Sequence, residues 1–143
     1  MGRLGQKTGA GWYRYETGDR TPHPDPVVEE LVLAEVALKN IQRRKISDDE
    51  IRERILFSMI NEGAKVLEEG IASRAVDIDL VFLHGYGFPA YRGGPMFYAS
   101  EYGLEKILNH IRIYQKEDEF AWRPSDLLVD LVKGNRESFE LKP

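Results

Sequence analysis

At 143 residues, with 42% hydrophobic and 31% charged residues, the chain is long enough to bury a core without covalent staples. Lys and Arg number 20 against 24 Asp and Glu, a net charge of −4 that excludes the basic surplus of a nucleic-acid binder. No apolar run approaches the roughly 20 residues that span a bilayer, and with no cysteine or secretory-type leader at the start, a cytoplasmic location is expected.

Residues 1–26 read as an irregular arm, because Gly2, Gly5, Gly9, Gly11 and Gly18 are followed by Pro22, Pro24 and Pro26. Its aromatic residues Trp12, Tyr13 and Tyr15 need a surface to pack on. From Pro26 the pattern turns helical, with Val28, Leu31, Leu38 and Ile41 at helical spacing before a polar turn at residues 42–45. Within that turn Arg43, Arg44 and Lys45 read as a solvated helix end, with an anion site as the alternative.

The next start is sharper. Ser47 can cap a helix with Glu50 three residues on, and Ile46 and Ile51 stand where a hydrophobic staple needs them. That helix is expected over 48–69, stopping at Gly70 and presenting Ile51, Ile55, Met59, Ile60, Ala64 and Leu67 to the core. Asn61 and Glu62 interrupt it beside its apolar positions and are expected to be partly buried, bonded to loop backbone rather than catalytic. A short helix follows over 77–83, another starts at Pro95, and Leu104, Ile107, Leu108, Ile111 and Tyr114 mark a further amphipathic helix. The last helix runs from near Ser125 to Gly134 on Leu127, Leu128, Leu131 and Val132, followed by a frayed tail. With no alternating strand pattern of useful length, the class is all-α, divided into the arm (1–26) and a helical domain (27–143).

The stretch HGYGFPAYRGGPM, residues 84–96, is the chemically suggestive segment. Gly85, Gly87 and Ala90 formally satisfy a dinucleotide-binding glycine pattern, but Pro89 deletes an N–H from the would-be phosphate loop and no βαβ alternation surrounds it. A Walker loop fails for want of a following Gly-Lys-Ser/Thr. The segment reads instead as a structural corner in which Gly85, Gly87, Gly93 and Gly94 supply positive φ or close approach, Phe88 and Tyr91 plug the core, and Pro89 and Pro95 fix the turns. Arg92 reads as a surface charge, with an anion contact as the alternative. His23, His84 and His110 lack ligand-like spacing, so no metal site is expected, and the Asp and Glu residues are assigned mostly to helix surfaces.

Residues 54–103, with N-E-G at 61–63, E-G at 69–70, D-I-D at 77–79 and G-F-P-x-x-x-G-G-P at 87–95, resemble the C-terminal helical domain of 3-hydroxyacyl-CoA dehydrogenases. Residues 2–15 resemble the segment that closes one copy of that domain. A closing segment followed by a fresh copy is similar to the tail of the multifunctional β-oxidation enzymes, where hydratase, NAD-binding and two tandem helical domains share one chain. The resemblance implies a multi-helix bundle similar to the 6-phosphogluconate dehydrogenase C-terminal fold. It further implies a parent that uses NAD to oxidise 3-hydroxyacyl-CoA, with no cofactor held by this piece. The family's catalytic His and Glu belong to the NAD-binding domain. A further Asn precedes an Arg on the long helix of the first helical copy, and alignment places Glu53 on that Asn and Arg54 on that Arg. An ionised carboxylate accepts hydrogen bonds but cannot donate one to a substrate oxygen, so no catalytic residue is expected here. The expected partners are the preceding helical domain and the NAD-binding domain of the same parent chain, and the isolated piece is expected either to self-associate, as a homodimer, or to expose an apolar patch. A free-standing interaction module and an acyl-CoA-binding domain are the alternatives. The ending SFELKP lacks an S-K-L type peroxisomal address, which supports the cytoplasmic expectation.

Overall fold

The computed structural model describes residues 2–140 and divides the chain into two compact units, one ending at Lys45 and the other beginning at Ile46. The last three residues of the ending SFELKP lie outside the described residues. The division therefore differs from the expected 26/27 boundary, because the first helix groups with the arm.

In the first unit the arm folds on itself through a 3-10 turn at Gln6–Thr8 and isolated antiparallel bridges joining Gly5 to Ala10, Ala10 to Arg14 and Arg14 to His23. Gly11 is required by close approach, since a Cβ there would sit 2.8 Å from the Gly5 Cα. The Arg3 guanidinium donates to the Gly11 carbonyl, at 3.0 Å from one nitrogen, and pairs with the buried Asp25 carboxylate. Asp25 also accepts from the Val27 N–H at 3.0 Å, capping helix α1 (Pro26–Leu38), whose proline at the first position needs no N–H partner. None of the residues of α1 is buried.

The second unit carries helices α2 (Asp48–Glu68), α3 (Ala75–Gly85), α4 (Pro95–Tyr102), α5 (Leu104–Gln115) and α6 (Asp126–Lys133). No strand occurs among the described residues, so the all-α expectation holds, and no described helix is long and apolar enough to cross a membrane. α2 starts as its capping signal predicts, with the Glu50 N–H donating to Ser47 Oγ at 3.2 Å. The Glu50 carboxylate accepts from Arg54 Nε one turn on, at 2.9 Å. There is no buried staple, since Ile46 and Ile51 remain 43% and 46% exposed.

α2 packs against α3, α4, α5 and α6 through Phe57, Ile60, Asn61, Gly63 and Ala64. The expected core face needs correction here. Ile60 and Ala64 are buried and Leu67 packs half-buried beside them, but Ile51 and Ile55 are exposed and Met59 only half-buried, because these three form a second apolar stripe turned away from the helix's packed side. Gly63 lets Met96 of α4 lie flat on α2, since a Cβ there would come within 2.6 Å of the Met96 sulfur. Around this contact sit Ile78, Leu104, Ile107, Leu108, Ile111, Leu128 and Leu131, each contributing about 1.5–3 kcal/mol on burial. The tail after Gly134 is not frayed as expected. It turns through Asn135 at φ 51°, and Phe139 returns to the core at 5% exposure.

Candidate functional site

The glycine-rich corner between α3 and α4 is set by a carboxylate that sequence reading did not single out. Asp79, on α3, is 6% exposed, and its oxygens accept from the backbone N–H groups of Met96 at 2.7 Å and Phe97 at 3.1 Å. These N–H groups belong to the first turn of α4, where partial positive charge gathers and no intrahelical acceptor exists. Asp79 thus caps α4 from a neighbouring helix. Burial raises its pKa above the ordinary carboxylate value, outweighing the two N–H donors, which lower it.

Gly94 has φ 108°, and a Cβ on it would overlap the Asp79 carboxyl, so only glycine lets the two approach. Gly87 and Gly93 also take the left-handed region, at φ 69° and 74°, as expected of a corner. Gly85 does not, because it closes the last turn of α3. Phe88 is buried and donates its N–H to the Phe82 carbonyl at 3.0 Å, while Pro89 leads into the 3-10 turn Ala90–Arg92 and Pro95 opens α4. Tyr91 is no core plug, since it is 84% exposed. A nucleotide phosphate does not fit this corner: the N–H groups that would cradle it are already taken by a carboxylate in van der Waals reach of Gly94.

The two polar candidates on α2 separate. Asn61 is 3% exposed; its Nδ2 donates to the Arg123 carbonyl at 2.9 Å and its Oδ1 accepts from the Ser125 N–H at 2.9 Å. The bond is to backbone as expected, but to the segment entering α6 and not to the glycine corner. Ser125 in turn caps α6 through the Leu128 N–H at 3.3 Å and donates to Glu68 Oε2 at 2.9 Å, so α2 fixes the start of α6 at two points. Glu62 is exposed, contrary to expectation, and pairs with Lys65 at 3.6 Å because it lies one residue off the buried face.

A third cluster surrounds Glu53. Its oxygens accept from the Tyr102 hydroxyl at 3.3 Å and the Tyr114 hydroxyl at 3.2 Å, and His110 Nε2 lies 3.9 Å away. Burial pushes the Tyr114 pKa up to about 12, with the Glu53 hydrogen bond and charge adding to it, and raises Tyr102 for the same reasons in weaker degree. Arg54 points to the adjoining side, bonded to Glu50 at 2.9 Å and Glu117 at 2.7 Å with its guanidinium 4.0 Å over the Tyr114 ring. Tyr98 stacks on Tyr102, ring centres 5.7 Å apart, so an aromatic row connects the corner to Glu53. No group of three or more His, Cys, Asp or Glu residues is arranged to hold a metal among the described residues.

Sequence reading placed the start of α6 near Ser125, as found, but missed the roles of Asp79 and of the tyrosine pair. The available signal for Asp79 was a carboxylate between Ile78 and Leu80 on an otherwise apolar helix.

Residues 51–139 match the family described as the C-terminal domain of 3-hydroxyacyl-CoA dehydrogenase. The chain is 48% identical to the peroxisomal bifunctional enzyme of Danio rerio over 92% of its own length, and 46% identical to that of Homo sapiens over 94%. It is 37% identical over 90% of its length to the peroxisomal fatty acid beta-oxidation multifunctional protein AIM1 of Arabidopsis thaliana. It spans 19%, 19% and 18% of those relatives' lengths. Their names overturn the cytoplasmic expectation and point to the peroxisome. The missing S-K-L address was a poor guide, because the last residues of a chain that spans a fifth of its relatives say nothing of where a parent ends. The motifs in residues 54–103, the all-helical body and these matches agree: the chain belongs to the family of 3-hydroxyacyl-CoA dehydrogenase C-terminal domains.

Proposed function

We propose that the chain is a non-catalytic helical copy within a peroxisomal multifunctional β-oxidation enzyme, where it packs against the preceding helical domain and supports the NAD-binding domain. The parent reaction is oxidation of the 3-hydroxyl carbon of a 3-hydroxyacyl-CoA, with hydride passed to NAD bound elsewhere in the parent. The observation that carries this reading is Glu53. At the position aligned with the family's catalytic Asn stands a carboxylate whose two oxygens already accept from Tyr102 and Tyr114. It has no proton to give a substrate oxygen and would repel enolate-like charge.

The packing role is supported by apolar surface. Leu31, Val32, Leu33 and Leu38 of α1, together with Leu4 and Trp12 of the arm, are 43–76% exposed, as are Ile51 and Ile55 of α2 within that span. A helix apolar on several sides is stable in water only when something covers it. The relatives' names favour this reading over a free-standing interaction module or an acyl-CoA-binding domain.

Two experiments test it. The 143-residue chain mixed with a 3-hydroxyacyl-CoA and NAD should form no NADH, and steady turnover would overturn the assignment. In the parent enzyme, deleting the segment from Asp25 onward should abolish dehydrogenase activity or make it thermally labile, whereas an unimpaired truncation would remove the supporting role.

A further inference from the structure

Arg43, Arg44 and Lys45 make the chain's only run of adjacent basic residues. They do not sit on a helix end as expected. α1 stops at Leu38, Asn40 turns the chain at φ 52°, and the Ile41 N–H closes that turn on the Val36 carbonyl at 2.9 Å. Residues 41–47 then take neither helical nor strand form, and every one of them is exposed, Ile41 at 53% and Ile46 at 43%. Regular structure resumes only where Ser47 caps α2.

The residues before and after this segment differ in what holds them folded. Among the described residues the core of the second unit, from Phe57 to Phe139, is complete without residues 2–45, and its α2, α4 and α6 are capped from within by Ser47, Asp79 and Ser125. Residues 2–45 bury a single side chain, Asp25, and no apolar one. Apolar burial is the main term that offsets chain entropy, so the second unit can keep its fold when severed and the first cannot.

A protease cleft takes its substrate as an extended strand, and exposed irregular segments are where folded chains are nicked. A basic side chain just before the cut suits an enzyme whose specificity pocket ends in a carboxylate, which pairs with a guanidinium or an ammonium. Other basic residues are less well placed. Arg52, Arg54, Lys65 and Lys106 lie within helices, and the turn after Arg20 is closed by the Thr21 N–H on the Asp19 carboxylate at 2.9 Å.

We propose that Arg43, Arg44 and Lys45 form a processing site for a trypsin-like endoprotease, at which hydrolysis releases residues 46–143 as a domain that stays folded. One water is consumed per cut: the peptide C–N bond breaks, the water oxygen completes the carboxylate of the basic residue, and the amine of the next residue takes both protons. The released first unit loses its fold and is degraded further. The inference stands on the chain itself and is independent of the reaction read for the parent.

Digestion of the 143-residue chain with trypsin at a limiting ratio, followed by mass spectrometry, tests it. The first cuts fall after residues 43–45, about tenfold or more faster than at any helical site, because helical sites must open before they can be cut. A product starting between Arg44 and Ile46 accumulates and melts within about 4 °C of the intact chain, while the fragments preceding it are digested. R43Q/R44Q/K45Q slows the first cut by about tenfold or more with the melting midpoint unchanged; the wild-type digest reads the site without any variant. First cuts anywhere else overturn the proposal, as does a 46–143 product that disappears as fast as it forms. The parent enzyme should be cut at the same residues, and a parent resistant there under conditions that cut the 143-residue chain would also overturn it, since a processing site must be open in the whole enzyme.

Discussion

Removing the Asp79 side chain is the most direct trial of the corner. In D79A the N–H groups of Met96 and Phe97 lose the acceptors that stand at 2.7 and 3.1 Å. An unsatisfied buried donor costs about 1–3 kcal/mol, and a carboxylate at a helix N-terminus adds about 0.3–1 kcal/mol. Against this, the variant no longer buries a charge, which the raised pKa of Asp79 marks as a cost. The net loss is about 2–4 kcal/mol, read as a lowered midpoint in urea unfolding followed by circular dichroism. G94A should lose a comparable amount, because Gly94 sits at φ 108° and its new methyl meets the Asp79 carboxyl. The steric part of that loss depends on the carboxyl, so D79A/G94A should be less destabilised than the sum of the two. Acid sharpens the prediction. A folded-state pKa above the unfolded one means the native state binds more protons between those values, so Asp79 favours the native state increasingly as pH falls through its raised pKa. The stability gap between wild type and D79A should therefore widen between neutral pH and about pH 4. Strict additivity in the double variant, or a gap that narrows in acid, would refute the reasoning.

Asn61→Ala removes a donor and an acceptor that the backbone of Arg123 and Ser125 uses at 2.9 Å each. It should cost about 2–3 kcal/mol, and amide hydrogen exchange should rise first at Ser125; a loss confined to a few tenths of a kcal/mol would mean water replaces the side chain. Tyrosine absorbance titrated with base should show a group protonated to about pH 12, assigned to Tyr114 by its loss in Y114F. Because that pKa is raised on folding, the stability Tyr114 contributes is present below pH 10 and is lost as pH climbs from 10 toward 12. E53Q should lower the Tyr114 value without returning it to 10, since burial is the larger cause; an unchanged value would remove Glu53 from the account.

What was legible from sequence was local. Ser47 with Glu50 announced the start of α2, Gly70 its stop and Pro95 the start of α4, because caps and breakers act within one turn of the residues that carry them. The face of α2 was harder, since Ile51, Ile55 and Met59 form a stripe as apolar as the one built on Phe57, Ile60 and Ala64, and periodicity does not say which stripe meets the body. Partners distant in sequence were not legible at all. Asp79 caps a helix 17 residues on, and Asn61 bonds to backbone 62 residues away. The glycines at 87, 93 and 94 signalled a corner, but the polar group that holds it comes from α3, outside the motif. Phe139 looked like part of a loose tail because one aromatic in a polar run has no period to read.

Glu53 bears most directly on function, and restoring the amide there separates loss of chemistry from loss of one residue. Glu53 joins three helices: it lies on α2, accepts from Tyr102 of α4 and from Tyr114 of α5, and through the Tyr102–Tyr98 stack connects to Arg92 at the corner. Asn at this position is one methylene shorter, so its amide cannot reach both hydroxyls, which stand at 3.3 and 3.2 Å from the longer side chain. Two hydrogen bonds to a charged acceptor are lost, and because the Glu53 side chain is 30% exposed the effect is discounted for solvent. E53N should therefore cost about 1–2 kcal/mol in the 143-residue chain. It should also leave NADH formation from 3-hydroxyacyl-CoA and NAD at background, since an amide supplies hydrogen-bond donors but neither the general base nor the cofactor site. An E53N chain as stable as wild type would show that the tyrosine clasp holds nothing together. One that turned substrate over would show that a single carboxylate had been all that silenced this copy.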